Sequence, residues 1–429
     1  MKPSICLSIL VSVLLVQAQE KEFHSFQEVY NNSPVPLQVL QYKESDTLNL
    51  IYNESLLMRR GTLDNVSSEC ISITFTIASF LRLERESLLG LKARSLYINN
   101  AIVDIQKGFI SPGSLKSLIL DNCGTPETLL TVPKIFTDLE ELHFYSNNLP
   151  VIPSKTFVSM KNLKRLSLVL SNIVTLELGC FSGLNDLLVL NLSYNRFTSL
   201  PSGVFDGFSK LKHLYVDNCH DLKQIDVNAF RGMDSLGELW LQNNSIDSLQ
   251  VGLFDDLRSL AALSLESTNI THIPKGVFDK VKTLRVIYLK NNRITSIEPN
   301  AFAVLNLESL ELSGGLSQDA LAPGIFNGLT VEDLHLRGND IREIKPNVWD
   351  GLFAENVNLS SNNLTKISVE YFAGLNTTTL YLLANGITEI AQNAFKNTHV
   401  KEIDLRNNTI KTVEKTTWGL PESVKITIE

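Results

Sequence analysis

The chain has 429 residues, 44% of them hydrophobic and 20% charged, which excludes a disordered polymer and leaves ample apolar material for a long core. Its formal net charge of -8 carries none of the basic excess through which phosphate-rich partners release counterions, so nucleic acid is not an expected partner.

The first residues read as a secretory signal, with Lys2 ahead of an apolar stretch from Ile5 to Val16 and Val16-Gln17-Ala18 before a cut. Cleavage after Ala18 makes 1–18 the signal peptide. A retained anchor is disfavoured, because about 12 apolar residues fall short of the roughly 20 that span a bilayer. No later stretch reaches that length, and Ile426-Thr427-Ile428-Glu429 lacks the spacer and apolar tail of a lipid-anchor signal. The expectation is a soluble, secreted, extracellular protein without a stable membrane anchor. Removing Cys6 leaves Cys70, Cys123, Cys180 and Cys219, an even number for which disulfides are the usual expectation outside the cell.

From about residue 70 one pattern repeats. Leu187, Leu190, Leu192, Asn195, Phe197, Leu200 and Phe205 recur as Leu236, Leu239, Leu241, Asn244, Ile246, Leu249 and Phe254, and again as Leu284, Ile287, Leu289, Asn292, Ile294, Ile297 and Phe302. Repeats begin at Leu115, Leu139, Leu163, Leu187, Leu211, Leu236, Leu260, Leu284, Leu307, Val331, Ala354, Thr377 and Val400, spaced by 23 to 25 residues, with weaker copies near Cys70 and Ala93. The alternation at the fourth to sixth places predicts a short strand whose apolar side must be buried against its neighbours, giving a continuous parallel sheet. The ninth place carries Asn147, Asn195, Asn244, Asn292, Asn339, Asn362, Asn385 and Asn408, whose amides can satisfy turn backbone inside the stack. An aromatic spine runs along the return segments: Phe157, Phe181, Phe205, Phe230, Phe254, Phe278, Phe302, Phe326, Trp349, Phe372, Phe395 and Trp418. All of these are core residues. The expected division is a capping segment over 19–69, about 15 repeats of 22–25 residues over 70–421, and a capping strand over 422–429.

This signature resembles the extracellular leucine-rich-repeat family, which includes Toll-like receptor ectodomains and the secreted, coil-less leucine-rich immune proteins of insects. The resemblance covers roughly residues 70 to 429. It implies an α/β solenoid, a horseshoe with a parallel sheet on its concave face and irregular or short helical return segments, that recognises proteins, lipids or microbial products. Members usually end in cysteine-rich caps, which neither the segment before Cys70 nor the tail after Trp418 shows.

Cys123 and Cys219 occupy the ninth place, four repeats or on the order of 19 Å apart, which is beyond disulfide reach. Cys180 precedes Phe181 on a return segment. The cysteines therefore read as packing residues, with no disulfide and no metal site. Ten sequons, at Asn31, Asn53, Asn65, Asn191, Asn243, Asn269, Asn358, Asn363, Asn376 and Asn407, are expected glycan sites, although turn chemistry alone also selects Asn.

The outward fifth place runs His143, Ser167, Asn191, Tyr215, Trp240, Ser264, Tyr288, Glu311, His335, Asn358, Tyr381 and Asp404, with Tyr145 and Tyr194 at nearby outward places. Exposed Trp and Tyr on a rigid sheet make binding hot spots, while aromatics also suit any sheet surface. The candidate binding residues are Trp240, Tyr215, Tyr288, Tyr145, Tyr194 and His143. Glu308, Glu311, Glu332, Asp333 and Glu355 form an acidic stretch that reads as a solvated face. No phosphate loop, nucleophile elbow or zinc-protease motif occurs and the seven His are scattered, so neither an enzyme nor a cofactor is expected. The functional expectation is a recognition protein for a protein or microbial ligand in innate immunity. The alternative is an adhesion or matrix-organising protein. The C-terminal strand Val424 to Ile428 leaves two outcomes, a self-capped end or a homodimer through the sheet edge.

Overall fold

A computed structural model describes residues 24–26, 37–41, 47–52, 56–60, 72–77, 80–111 and 113–429. The signal peptide, Cys6, Cys70, Asn31, Asn53 and Asn65 lie outside the described residues. The chain divides into two compact units, Met1–Ile119 and Leu120–Glu429.

In the first unit, His24–Phe26, Leu37–Gln41 and Thr47–Tyr52 pair antiparallel in succession. Thr47–Tyr52 then pairs parallel with Ser72–Ile77, and that strand with Ser95–Asn99. Parallel stacking therefore already operates upstream of residue 70. A second parallel sheet, Leu56–Met58, Phe80–Leu83 and Ile102–Ile105, lines the return side.

In the second unit every repeat adds one parallel strand in the register that the sequence period demands: Leu142, Leu166, Leu190, Leu214, Leu239, Leu263, Ile287, Leu310, Leu334, Val357, Leu380, Ile403 and Ile426 are successive Cα partners. These residues are buried up to Ile403, and full burial of a Leu or Ile contributes roughly 1.5–3 kcal/mol each. The strand Lys425–Thr427 completes the pairing. Return segments are mostly turns, and among the described residues helices occur at Pro126–Ile135, Gln318–Ala320 and Lys415–Trp418. This unit is a parallel-strand solenoid. The Pro126–Ile135 helix starts where Thr125 caps it and Pro126 stands at its first position, which needs no N–H.

Two internal ladders hold the turns. Asn195 is typical of the first: its Nδ2 donates to Leu168 O and Leu192 O, both at 2.7 Å, while its Oδ1 accepts from Ser171 N and Ile173 N of the preceding repeat. Asn339, Asn362, Asn385 and Asn408 repeat the same double donation. Between Cys123 and Asn339 the ladder alternates, with Cys123, Ser171, Cys219, Thr268 and Gly315 taking every second slot. At Cys123, Ser171, Cys219 and Gly315 the residue's own backbone N–H donates to the next Asn, as Cys219 N does to Asn244 Oδ1 at 2.9 Å, whereas Thr268 donates through its hydroxyl to Asn292 Oδ1 at 2.6 Å. The second ladder is the aromatic spine, whose rings stack at 6.1 Å for Phe157 and Phe181, 6.2 Å for Phe205 and Phe230, 5.8 Å for Phe278 and Phe302, and 5.3 Å for Phe372 and Phe395. Trp349 keeps the stack with Phe326 and donates its Nε1 to Tyr371 O at 2.8 Å, satisfying the buried indole.

One backbone feature escapes the residue pattern. The eighth place of each repeat adopts positive φ, whether occupied by Asn122, Leu170, Tyr194, Ser267, Gly338 or Ala384, because the chain must turn left-handed there to leave the strand.

Cys123, Cys180 and Cys219 are buried free thiols, and burial pushes Cys180 and Cys219 up to about 12. Alkylation of the folded protein near pH 8 should leave all three unmodified, whereas denaturation without reductant should release them. A native protein that reacts at once, or a denatured one with no free thiol, would contradict this packing. Both shifts are upward, so their linked stability is intact below pH 9.0, where the unfolded thiols start to ionise, and is lost as pH climbs toward 12.

Candidate functional site

The fifth-place residues form one row across the sheet, with His143, Ser167, Asn191, Tyr215, Trp240, Ser264, Tyr288, Glu311, His335, Asn358, Tyr381 and Asp404 as successive Cα partners. Strand alternation explains the row, since the fourth and sixth places carry the buried leucines and the fifth must face outward.

Within the row, three candidate residues come together. The rings of Tyr215 and Trp240 lie nearly parallel at 6.5 Å, and Trp240 and Tyr288 at 6.2 Å. The second contact skips a strand. Ser264, between them in register, is only 3% exposed because the two larger side chains close over it. Glu238 Oε2 accepts from Trp240 Nε1 at 3.1 Å and lies 3.1 Å from His213 Nδ1, fixing the indole orientation. Burial raises the Tyr215 phenol, with the charges of Glu238 and Asp217 acting in the same direction, so it stays a neutral donor across the physiological range.

His143 and Tyr145 make a separate pair. Tyr145 Oη lies 3.0 Å from His143 Nδ1 and the rings stack at 5.6 Å. Burial lowers the His143 imidazole against the opposing pull of Glu141, keeping it neutral near pH 7, and burial raises the Tyr145 phenol. Three strand steps, about 14 Å, separate this pair from Tyr215. Tyr194 stands apart from both in kind: it occupies the left-handed turn after Val189–Asn191, with φ of 61° and its N–H given to Asp217 O at 3.0 Å.

Half of the remaining row has local structural work. Asn191, Glu311, Asn358 and Asp404 each accept from the backbone N–H two residues on, at Ser193, Ser313, Ser360 and Arg406. That N–H sits where the chain leaves the strand, and an acceptor at the fifth place satisfies it. The sequon residues Asn191 and Asn358 are half-buried by this arrangement, as are Asn243 and Asn269, whereas Asn363, Asn376 and Asn407 are exposed. Glu308, Glu332 and Glu355 are exposed on adjacent strands. Among the described residues no group of His, Cys, Asp or Glu is arranged to hold a metal, and no helix is long and apolar enough to cross a membrane.

Comparison with solved structures gives the same architecture. The TLR13-ssRNA13 complex superposes with a TM-score of 0.61 at 20% identity, over 87% of this chain and 60% of that one. The Drosophila Toll–Spatzle complex gives 0.58 at 16% identity, over 88% and 52%, and its glycosylated form 0.55 at 19%, over 91% and 56%. This chain thus spans between 52% and 60% of the length of those structures. At these identities the likeness is one of fold. No curated protein matches the chain. A family model described as leucine rich repeat matches residues 137–187, 161–220, 209–270, 258–316 and 376–429. Those segments carry the Leu and Asn ladders from Leu142 to Leu310 and from Leu380 onward, and the chain belongs to the leucine-rich-repeat family.

Proposed function

We propose that this chain is a secreted, glycosylated, non-enzymatic recognition protein that binds an extracellular protein or microbial surface product in innate defence. Its contact centre is Tyr215, Trp240 and Tyr288, with the His143–Tyr145 pair and Tyr194 contributing along the same side. The observation that carries the reading is the convergence of three rings from separate strands into one stack on a sheet face whose other side is core. Such rings lose little entropy on binding because the sheet and their mutual stacking already order them. The fold neighbours are structures in which Toll is complexed with Spatzle and TLR13 with single-stranded RNA. The net charge of -8 favours a protein or glycan over RNA.

The test is capture of extracellular ligands on immobilised wild-type protein and on Trp240→Ala, with a single-stranded RNA as a parallel probe. Truncation should weaken the captured partner by about 2 kcal/mol, roughly 30-fold in Kd, while circular dichroism stays unchanged. Equal affinities would move the contact surface elsewhere on the solenoid. Salt-sensitive RNA binding in place of protein or glycan capture would overturn the partner class.

A further inference from the structure

Phe353 breaks the rule that governs the other large aromatics of the stack. It is 58% exposed, whereas Phe326, Trp349 and Phe372 around it in sequence are fully buried. It stands at the start of the strand Phe353–Asn358, flanked by Thr330 on one side. Its neighbour on the other side is Asn376, because Ala354 pairs with Thr377 and Ala354 N donates to Asn376 O at 3.3 Å. Asn376 opens the sequon Asn376-Thr377-Thr378. It is exposed. Unlike Asn191 and Asn358, whose amides are folded onto their own backbone, its side chain has no hydrogen-bond partner among the described residues. Adjacent strands place the two Cα atoms about 4.8 Å apart, within the span of one sugar ring.

We infer that Asn376 carries an N-linked glycan whose first N-acetylglucosamine lies on the ring of Phe353. The inference rests on the export reading above. The modification needs a lipid-diphosphate-linked oligosaccharide: Asn376 Nδ2 attacks its anomeric carbon, the C–N bond forms, the C–O bond to diphosphate breaks and takes its electron pair, and the amide proton goes to the base of the transferring enzyme. The C–H face of the bound sugar carries partial positive charge and meets the negative face of the phenyl ring, while the sugar hydroxyls stay in water. This removes from solvent an aromatic side chain that is otherwise a lone exposed apolar surface on the sheet. The site differs from a glycan at Asn191, which would instead crowd Tyr215 in the aromatic stack.

The experiment uses the full chain secreted from a glycosylating cell, as wild type, Asn376→Gln, Phe353→Thr and the double variant; threonine is what Thr330 already places at the neighbouring position. Glycopeptide mass spectrometry should find Asn376 occupied. Asn376→Gln should lower Tm by about 2 °C when Phe353 is present and by less than half of that in the Phe353→Thr background. A bare Asn376 beside occupied Asn363 or Asn407 overturns the inference and leaves export standing. A secreted chain with none of the three occupied likewise overturns the inference alone, whereas a chain that stays in the cytosol without a glycan overturns both. An occupied Asn376 with equal Tm losses in the two backgrounds overturns the stacking on Phe353.

Discussion

Asn195→Leu should destabilise the solenoid by about 4 kcal/mol, although the two side chains are close in size. The reason is arithmetic on backbone groups. Asn195 is 3% exposed and serves five of them: the carbonyls of Leu168, Leu192 and, at the longer distance of 3.3 Å, Ser193, and the amides of Ser171 and Ile173. All of these bonds are buried, and each buried group left unpaired costs roughly 1–3 kcal/mol, reduced by local relaxation and, at Leu192 O, by the second donor Cys219 Sγ. Cys219 sets the contrast. It fills the equivalent slot with Asn195 N donating to Sγ at 3.4 Å and Sγ donating to Leu192 O at 3.4 Å, both weaker than the amide bonds. Cys219→Ala should therefore cost only about 1–2 kcal/mol, mostly lost packing. Urea unfolding midpoints for both variants decide the matter. Similar losses would mean that the ninth place is held by volume and not by hydrogen bonds.

How much of this was legible in the sequence follows from what a period can encode. Leu190, Leu214 and Leu239 declare their register because burial accepts only apolar residues there, and the fifth-place row from His143 to Asp404 follows from alternation alone. The buried slots of Cys123 and Cys219 were equally readable, since they substitute for Asn at a fixed spacing. Side-chain lean was not. The period makes Ser264 the neighbour of Trp240, yet the ring contact runs to Tyr288, because a small residue lets the rings on either side close over it. Nor does the period separate His143 and Tyr145 from the Tyr215 stack, or show that Tyr194 lies in a left-handed turn. That turn accepts Leu170 and Tyr194 as well as Asn218, so residue type carries little of the signal. The capping roles of Asn191 and Asn358 were hidden for a related reason, because an Asx-type bond two residues ahead leaves no mark at repeat length. The stacking of Thr47–Tyr52 on Ser72–Ile77 was missed because that segment lacks the leucine and asparagine template.

Gly315→Ala should be among the most damaging single-methyl changes in the chain, at about 3 kcal/mol or more. After the strand Asn306–Glu311 the chain does not simply turn away: Leu316 forms an extra bridge to Ile294, and Ile294 N donates to Gly315 O at 2.8 Å. This draws Gly315 onto the preceding turn. A Cβ there would fall onto the backbone oxygen and nitrogen of Asn292, and backbone cannot swing aside as a side chain can. The ninth place is consequently Gly in this repeat, and Asn339 of the next repeat takes over its hydrogen bonding by accepting from Gly315 N at 2.8 Å and Leu316 N at 2.9 Å. Gly338 supplies the control. Its φ of +67° makes a side chain strained, but nothing lies within 4 Å of a Cβ there, so Gly338→Ala should cost only about 1–2 kcal/mol from backbone strain. Equal destabilisation of the two variants in thermal or urea unfolding would show that the turn, and not the contact with Asn292, selects glycine at 315. A Gly315→Ala variant as stable as wild type would require the bridge between Ile294 and Leu316 to open at little cost, and faster amide exchange at Ile294 would reveal it.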